Sequence, residues 1–156
     1  MAVMIVAVDE SDHSMYALEW TLDRFFSSSN PPFKLRIVHA KLPAISAVCV
    51  AEPGAAEILP FVDSDLNKMS NRTIEKAKQI CRSKSVKDVT FEVDHGDPRQ
   101  VLCECDAVDK HLASILVIGS QGYGDIKRAV LGSVSDYYSH HAHCTVMIVK
   151  KPKLKH

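Results

Sequence analysis

The chain is 156 residues long, enough for a single domain whose core needs no disulfide or metal to hold it. Nineteen Lys and Arg residues balance nineteen Asp and Glu residues, so net charge offers no long-range attraction to nucleic acid or to an anionic membrane. No apolar run approaches the ~20 residues that a membrane span needs, and the apolar start lacks the positively charged residues of a signal peptide.

The first predicted elements are a strand and a helix. Val3 to Val8 is apolar and β-prone throughout, which is the pattern of a strand covered on both faces. A helix is predicted to follow as far as about Phe26, because its apolar residues recur with a helical period. Asp9, Ser11 and Asp12 are each suitable N-cap residues, and the sequence leaves the choice among them open.

The middle of the chain contains two further strands and a helix. Lys34 to Ala40 is predicted to be the second strand. Residues 41–63 contain three prolines and little periodicity, so we expect an inserted loop there. An apolar stripe predicts a helix from about Ser64 to Ser83, and β-prone residues predict a third strand at 89–93.

The last third of the chain continues the alternation. The predicted elements are a helix from Pro98 to about His111, a strand at 115–118, a helix from Ser133 to about His143 and a strand at 145–149. The strands lack the period-two pattern of a half-exposed sheet. Residues 1–156, with a basic tail at 150–156, are therefore predicted to form one α/β domain, a doubly wound parallel sheet of five strands with helices on both faces.

A long glycine-containing loop joins the fourth strand to the last helix. Its spacing is Gly119-x2-Gly122-x9-Gly132-Ser133, whereas a loop between a strand and a helix usually takes about two to six residues. In an open parallel sheet, ligands bind beyond the carboxyl ends of the strands, and this loop begins at the carboxyl end of the fourth strand. Glycine lets the backbone approach an anion closely, and the start of a helix favours negative charge. The pattern favours a phosphate-binding loop, with simple turns as the alternative.

Several better-known motifs are absent from the sequence. It contains no Gly-x4-Gly-Lys-Ser/Thr P-loop, no glycine fingerprint after the first strand and no Gly-x-Ser-x-Gly nucleophile elbow. His140, His143 and Cys144 have a spacing that would suit zinc, but histidines in a last helical turn complement the helix dipole without a metal. Lys127 and Arg128 lie in the glycine loop, either contacting a terminal phosphate or remaining solvated.

The glycine and serine spacing resembles the nucleotide-binding signature of the universal stress protein family. The segments VAVDES at 6–11, GDPRQVLCE at 96–104 and GSVSDYYSHHAHCTVMIVK at 132–150 are also similar to that family, particularly to its plant members, and occur in the same order. The resemblance implies a sheet of strand order 3-2-1-4-5. It also implies an adenine nucleotide in the crevice between strands one and four.

The same resemblance assigns roles to individual residues. Val8 and Asp9 would flank the adenine and the ribose, and the backbone of Val38, His39 and Ala40 would meet the edge of the base. The residues that would enclose the ribose and the phosphates are Gly119, Ser120, Gly122, Gly132, Ser133, Val134 and Ser135. For Asp9 the alternative is that it only caps the first helix.

The function implied by the resemblance is that of an adenine-nucleotide-binding protein, for ATP, ADP or AMP, which acts as a signalling or regulatory module of the stress response rather than as an enzyme. One alternative is a slow ATP hydrolase or phosphotransferase that uses the same pocket. Another is a flavin or electron-transfer protein of the same fold class. The sequence predicts no catalytic residue and no resident metal site, and it leaves open whether Mg²⁺ accompanies the nucleotide.

The expected partners follow from charge and from the last strand. Neither nucleic acid nor a membrane is expected to bind this chain. Thr145 to Val149 forms an apolar strand that strand order 3-2-1-4-5 would leave at the edge of the sheet, so a homodimer through this strand is expected. The five cysteines lack the spacing of a disulfide framework, which favours a reducing compartment and a cytoplasmic location.

Overall fold

The computed structural model describes residues 2–43, 54–96, 113–120 and 144–152. Within these ranges the elements, in chain order, are β1 (Ala2–Ala7), α1 (Asp12–Phe25), β2 (Phe33–Lys41), α2 (Ala55–Ser83), β3 (Val89–His95), β4 (Ala113–Gly119) and β5 (Thr145–Val149). All five predicted strands and the first predicted helix are confirmed. The helices predicted at 98–111 and 133–143 lie outside the described residues.

The five strands form one parallel sheet in the order β3-β2-β1-β4-β5. This confirms the order 3-2-1-4-5. Because all strands run the same way, their carboxyl ends lie at a common edge of the sheet. At this edge Ala7 of β1 is paired with Val38 of β2, and Gly119 of β4 is paired with Val149 of β5.

Buried side chains line both faces of the sheet. On one face α1 and α2 pack against the strands, and the core they share includes Met4, Val6, Val8, Met15, Leu18, Leu22, Leu35, Ile37, Ala77, Cys81 and Val117. On the opposite face Ile5, Val38 and Leu116 are fully buried as well. Burial on both faces explains why β1 and β4 are apolar at successive positions, whereas β3, at the edge of the sheet, alternates apolar and polar residues.

The first helix begins at a serine cap. The main-chain N–H of Ser14 donates to the hydroxyl oxygen of Ser11 at 3.2 Å, and Ser11 has extended backbone angles, so Ser11 is the N-cap. The apolar stripe that predicted the helix is buried at Met15, Leu18 and Leu22. The cap satisfies one of the main-chain donors that every helix start leaves without an internal partner.

The second helix starts earlier than the sequence indicated, which corrects the assignment of residues 41–63 to a loop. It begins at Ala55 rather than near Ser64, and Pro60 lies inside it. Proline removes a main-chain donor and usually ends or kinks a helix, so Pro60 was a misleading signal. Residues 44–53 of the predicted loop lie outside the described residues.

The two halves of α2 differ in burial. The buried positions of α2 are Ser70, Thr73, Ala77 and Cys81, all in its second half. Near its start Ile58 and Phe61 are exposed, with 49% and 73% of their surface accessible. Ile58 and Phe61 are spaced three residues apart, as on one face of a helix, but they are not buried. Among the helices of the described residues, none is long and apolar enough to cross a membrane.

Candidate functional site

The candidate site is the carboxyl edge of the sheet between β1 and β4. From β1 the chain adds β2 and then β3 on one side, whereas β4 and β5 lie on the other side of β1. The strand order therefore reverses between β1 and β4, which is where open α/β sheets bind their ligands. Asp9 follows the end of β1 on one side of this position, and Gly119 ends β4 on the other.

Asp9 is fastened to the start of α1 by its side chain and its main chain. One carboxylate oxygen, Oδ1, accepts hydrogen bonds from the main-chain N–H of Ser11 at 2.8 Å and from the Ser11 hydroxyl. The main-chain N–H of Asp9 donates to the hydroxyl of Ser14 at 2.9 Å. Asp9 is only 7% exposed. It therefore orders the cap residue without being the cap, and its carboxylate has a fixed position at the strand tip.

Gly119 is the point at which α1 touches the tip of β4. A Cβ atom at this position would lie 2.8 Å from both the carbonyl carbon and the carbonyl oxygen of His13, and 3.0 Å from the main-chain nitrogen of Ser14. These are backbone atoms, which do not move aside as the end of a flexible side chain does. The absence of a side chain at Gly119 is thus required for the packing of α1, whatever else this residue contacts.

His39 lies in β2 and contacts the end of β1 on the side opposite to β4. Its Nδ1 lies 2.9 Å from the carbonyl oxygen of Val8, and its Nε2 lies 3.0 Å from the hydroxyl oxygen of Ser70 in α2. Val8 also donates its main-chain N–H to the carbonyl of Val38 at 3.0 Å. His39 is 3% exposed, so the ring is a buried bridge between β1, β2 and α2.

Burial sets the charge state of His39. Its pKa is lowered from the ordinary value of 6.5, chiefly because burial penalises the charged ring. The hydrogen bond to the Val8 carbonyl and the nearby carboxylates of Asp9 and Glu10 act in the opposite direction but are outweighed. A neutral ring with its proton on Nδ1 suits the observed contacts, since a carbonyl oxygen accepts and the Ser70 hydroxyl can donate to Nε2.

Two ion pairs connect α2 to the same edge of the sheet. Lys41 ends β2, is 8% exposed and places its Nζ 3.3 Å from the Asp63 carboxylate. Arg72 and Glu10 form a second pair, with 2.8 Å between a guanidinium nitrogen and a carboxylate oxygen, and both side chains are exposed. In the first pair Lys41 is buried but Asp63 is 53% exposed, so water and salt screen this pair in part and screen the second pair, in which both side chains are exposed, more strongly.

Of the residues that the resemblance assigned to the site, those that the structure describes form two groups. Val8, Asp9, Gly119 and Ser120 meet at the tips of β1 and β4, while Val38, His39 and Ala40 lie in β2 and are buried. Ser120 is 7% exposed and donates its main-chain N–H to Val149 at 3.1 Å. The remaining predicted residues, which lie outside the described ones, are Gly122, Gly132, Ser133, Val134 and Ser135.

The structure describes only some of the other residues that the sequence offered as ligands. Lys127, Arg128, His140 and His143 lie outside the described residues, and Cys144 packs against the second face of the sheet. Within the described ranges no group of three or more His, Cys, Asp or Glu side chains is arranged to hold a metal ion. The side chains of His39 and Ser70 were missed by the sequence analysis. His39 lies between the buried apolar residues Val38 and Ala40 of β2, and a histidine in such a position was the signal that a polar partner had to exist.

The strand order and the polar residues at the switch point define a doubly wound α/β protein with its candidate ligand site between β1 and β4. The family model of the universal stress protein family matches residues 1–150, and the chain belongs to that family. A relative, universal stress protein A-like protein of Arabidopsis thaliana, is 27% identical over 143 residues, which cover 86% of this chain and 77% of the relative.

The solved structures that are similar to this chain include two with a bound nucleotide. A universal stress protein family protein from Arabidopsis thaliana with AMP bound superposes with a TM-score of 0.70 at 24% identity, covering 97% of this chain and 93% of that one. A universal stress protein in complex with cAMP superposes with a TM-score of 0.57 at 23% identity, covering 95% of each chain. At these identities the likeness shows the shared fold.

The contact at Gly119 yields a first prediction. Gly119→Ala should lower the free energy of unfolding by about 1–3 kcal/mol, because the added methyl group meets the backbone of α1. Urea denaturation followed by circular dichroism measures this change. Ser114→Ala, at an exposed position of the same strand, is the control and should stay within about 0.5 kcal/mol of the wild type. Equal stability of the two variants would show that α1 does not rest on Gly119.

The burial of His39 yields a second prediction. Because its pKa in the folded protein lies below 6.5, the unfolded chain binds the proton more tightly, so stability is present above about pH 6.5 and is lost as pH falls through the folded pKa. His39→Gln removes this titration. The stability difference between wild type and His39→Gln should be about 1–3 kcal/mol at pH 7.5 and should shrink at pH 5.5.

Urea denaturation at both pH values measures that difference. His95→Gln is the matched control, because His95 is exposed at the end of β3. Its stability relative to the wild type should hardly change between the two pH values. A His39→Gln difference that stays constant with pH would contradict the neutral buried ring.

Proposed function

We propose that this protein binds an adenine nucleotide in the crevice between β1 and β4 and serves as a signalling or regulatory module of the stress response in the cytoplasm. The observation that carries the proposal is the pair of residues at the switch point, where Asp9 is held at the tip of β1 and Gly119 ends β4. The AMP and cAMP bound by two proteins of the same fold support the choice of an adenine nucleotide.

Each part of the crevice has a proposed role. The Asp9 carboxylate suits the ribose, because a carboxylate accepts hydrogen bonds from sugar hydroxyls and this one is already oriented by Ser11. The tips of β1 and β2, at Val8 and at residues 38–40, form the side that faces the base. The glycine loop that begins at Gly119, with Gly122, Gly132, Ser133, Val134 and Ser135, surrounds the phosphates in this proposal, together with Ser120.

The contacts of the site residues favour nucleotide binding over phosphoryl transfer. Phosphoryl transfer needs a group that activates the nucleophile and positive charge on the transferred phosphoryl. Asp9 is the acidic residue assigned to the site, and its Oδ1 accepts two hydrogen bonds from Ser11. These two bonds occupy one carboxylate oxygen and hold the carboxylate in place. Asp9 is thus better suited to orienting a ligand than to removing a proton.

The direct test identifies the nucleotide that the purified protein carries. Denaturation should release AMP, ADP or ATP, which mass spectrometry distinguishes, and calorimetry on the stripped protein should then show which of them rebinds. Turnover of labelled ATP by the pure protein, abolished in Asp9→Ala, would instead support the hydrolase alternative. Absence of any bound or rebinding adenine nucleotide would refute the proposed function.

The glycine loop gives a third prediction. Gly132→Val should weaken AMP and ATP binding at least about tenfold, because a branched side chain fills space needed by a phosphate and restricts the backbone that approaches it. Isothermal calorimetry measures both affinities. Gly119→Val does not serve this purpose, because a valine there meets the backbone of α1 and disturbs the fold.

The control for Gly132→Val is Ser114→Val, which places the same side chain at an exposed position of β4 near the opposite edge of the sheet. This variant should bind AMP as the wild type does. Unchanged affinity in Gly132→Val would remove this glycine from the phosphate site while leaving the roles of Asp9 and the strand tips untouched.

We also propose that the protein is a homodimer through β5. This strand is last in the sheet order, and in the described residues its one partner strand is β4. The carbonyl of Val149 accepts from Ser120, which follows β4, so Val149 directs its main-chain groups towards β4. Since main-chain groups alternate in direction along a strand, those of Val146 and Ile148 point to the outer edge. A second copy pairing there would satisfy both edges.

This geometry gives a fourth prediction. Ile148→Pro removes an outward-pointing donor and should shift the dimer towards monomer while leaving the pairing of β5 with β4 in place. Light scattering at several protein concentrations measures the shift. Ile148→Val is the control, because it keeps the N–H group and most of the side chain, and it should remain dimeric. A wild type that is monomeric at tens of micromolar would refute the dimer.

A further inference from the structure

We infer that the side chain of His39 is a positioning residue of the nucleotide site, which holds the tip of β1 through the Val8 carbonyl and makes nucleotide affinity fall in mildly acidic solution. This inference rests on the proposed function, because it concerns the same crevice. It assigns His39 a role through its ring that differs from the contact of its backbone with the base edge.

The contacts show how the ring acts on the site. Val8 is the residue directly before Asp9, and both of its main-chain polar groups bond to β2: the N–H to the Val38 carbonyl at 3.0 Å and the C=O to His39 Nδ1 at 2.9 Å. The carbonyl of Val8 belongs to the peptide group that links it to Asp9. The ring therefore fixes the orientation of that peptide group, and with it the direction from which the Asp9 side chain enters the crevice.

The second contact of the ring determines its response to a proton. With the Nδ1 proton donated to Val8, a neutral ring accepts the Ser70 hydroxyl at Nε2 across 3.0 Å. Protonation turns Nε2 into a donor, so the Ser70 hydroxyl has to turn round and a positive charge enters a position that is 3% exposed. Burial of the ring therefore favours the neutral form, in which both contacts are satisfied.

Three elements neighbour His39, and two of them bring charged groups near it. From β1 and the turn after it, Asp9 and Glu10 favour the charged ring. From α2, Ser70 contacts the ring, and Arg72 neutralises Glu10 across 2.8 Å. From β3 the paired residue is Val93, which carries no charge. Burial outweighs the carboxylates and lowers the pKa of the ring.

A nucleotide that covers the strand tips removes more water from this region. It should therefore favour the neutral ring further, and by linkage its affinity should fall as the pH drops through the pKa of His39 in the free folded protein, which lies below 6.5.

Two substitutions distinguish the contact made by Nδ1 from the contact made by Nε2. His39→Asn places an amide N–H near the position of Nδ1, so the donor to Val8 is kept, while the titrating group and the Ser70 contact are lost. His39→Gln places its amide nearer to the position of Nε2 and loses the donor to Val8. His95→Asn, at the exposed end of β3, is the matched control for replacing a histidine.

Calorimetry with AMP on the full chain at pH 7.5 and pH 5.5 is the experiment. At pH 7.5, His39→Asn should bind AMP within about threefold of the wild type, and His39→Gln about tenfold more weakly. The phosphate of AMP also titrates in this range, but it does so equally for every variant. The ratio of wild-type to His39→Asn affinity is therefore the readout, and it should fall at least about threefold from pH 7.5 to pH 5.5.

The outcomes distinguish this inference from the function on which it rests. If the wild type does not bind AMP or another adenine nucleotide, the proposed function fails. If the wild type binds AMP, and His39→Asn and His39→Gln bind equally well with a pH-independent ratio, the positioning role is overturned and the proposed function stands. His95→Asn should match the wild type at both pH values.

A measurement on the unaltered protein keeps the test valid if either variant fails to fold. Nuclear magnetic resonance follows the ring protons of His39 through a pH titration, with and without saturating AMP. The pKa of His39 should be lower in the complex than in the free protein. An equal or higher pKa in the complex would overturn the inference.

Discussion

The contact between the first turn of α1 and the backbone of Gly119 is the constraint on which the carboxyl edge of the sheet depends. Because Gly119 has no side chain, the backbone at His13 and Ser14 lies directly against the tip of β4. The turn from Asp9 to Ser14 is thereby confined between β1 and β4, where short hydrogen bonds close it. A larger residue at the end of β4 would move α1, and the orientation of Asp9 would change with it.

The tip of β1 is held on its other side by a second set of contacts. His39 joins it to β2 and to Ser70 of α2, while Lys41 and Asp63 connect the end of β2 to the same helix. The candidate site therefore sits on rigid elements that are braced from both directions. Preorganisation of this kind reduces the ordering that a ligand has to impose when it binds. The buried polar residues His39 and Ser70 thus help to position the site in addition to satisfying their own hydrogen bonds.

The sequence predicted the sheet well and the polar contacts poorly, for identifiable physical reasons. The central strands β1 and β4 are mostly apolar because both faces of the sheet are covered there, and α1 has an apolar stripe, so these elements were the most recognisable from the sequence. The start of α2 was missed because Pro60, a residue that usually ends or kinks a helix, lies inside it. The bridge from His39 to Ser70 joins residues far apart in sequence, and no local pattern predicts such a pair. At Gly119 the sequence suggested a ligand contact, whereas packing against α1 alone already requires the glycine.

The strand order has a consequence for how the protein is made. Residues 2–96 contain β1, β2 and β3 as neighbours in both sequence and space, so they can pair soon after synthesis. The other partner of β1 is β4, where Val6 meets Val117, and it leaves the ribosome much later. In the interval the central strand has one open edge lined by apolar residues, and such edges recruit wrong partners. The vulnerable moment of this chain therefore comes during its synthesis, while the strand that will complete its centre is still being translated.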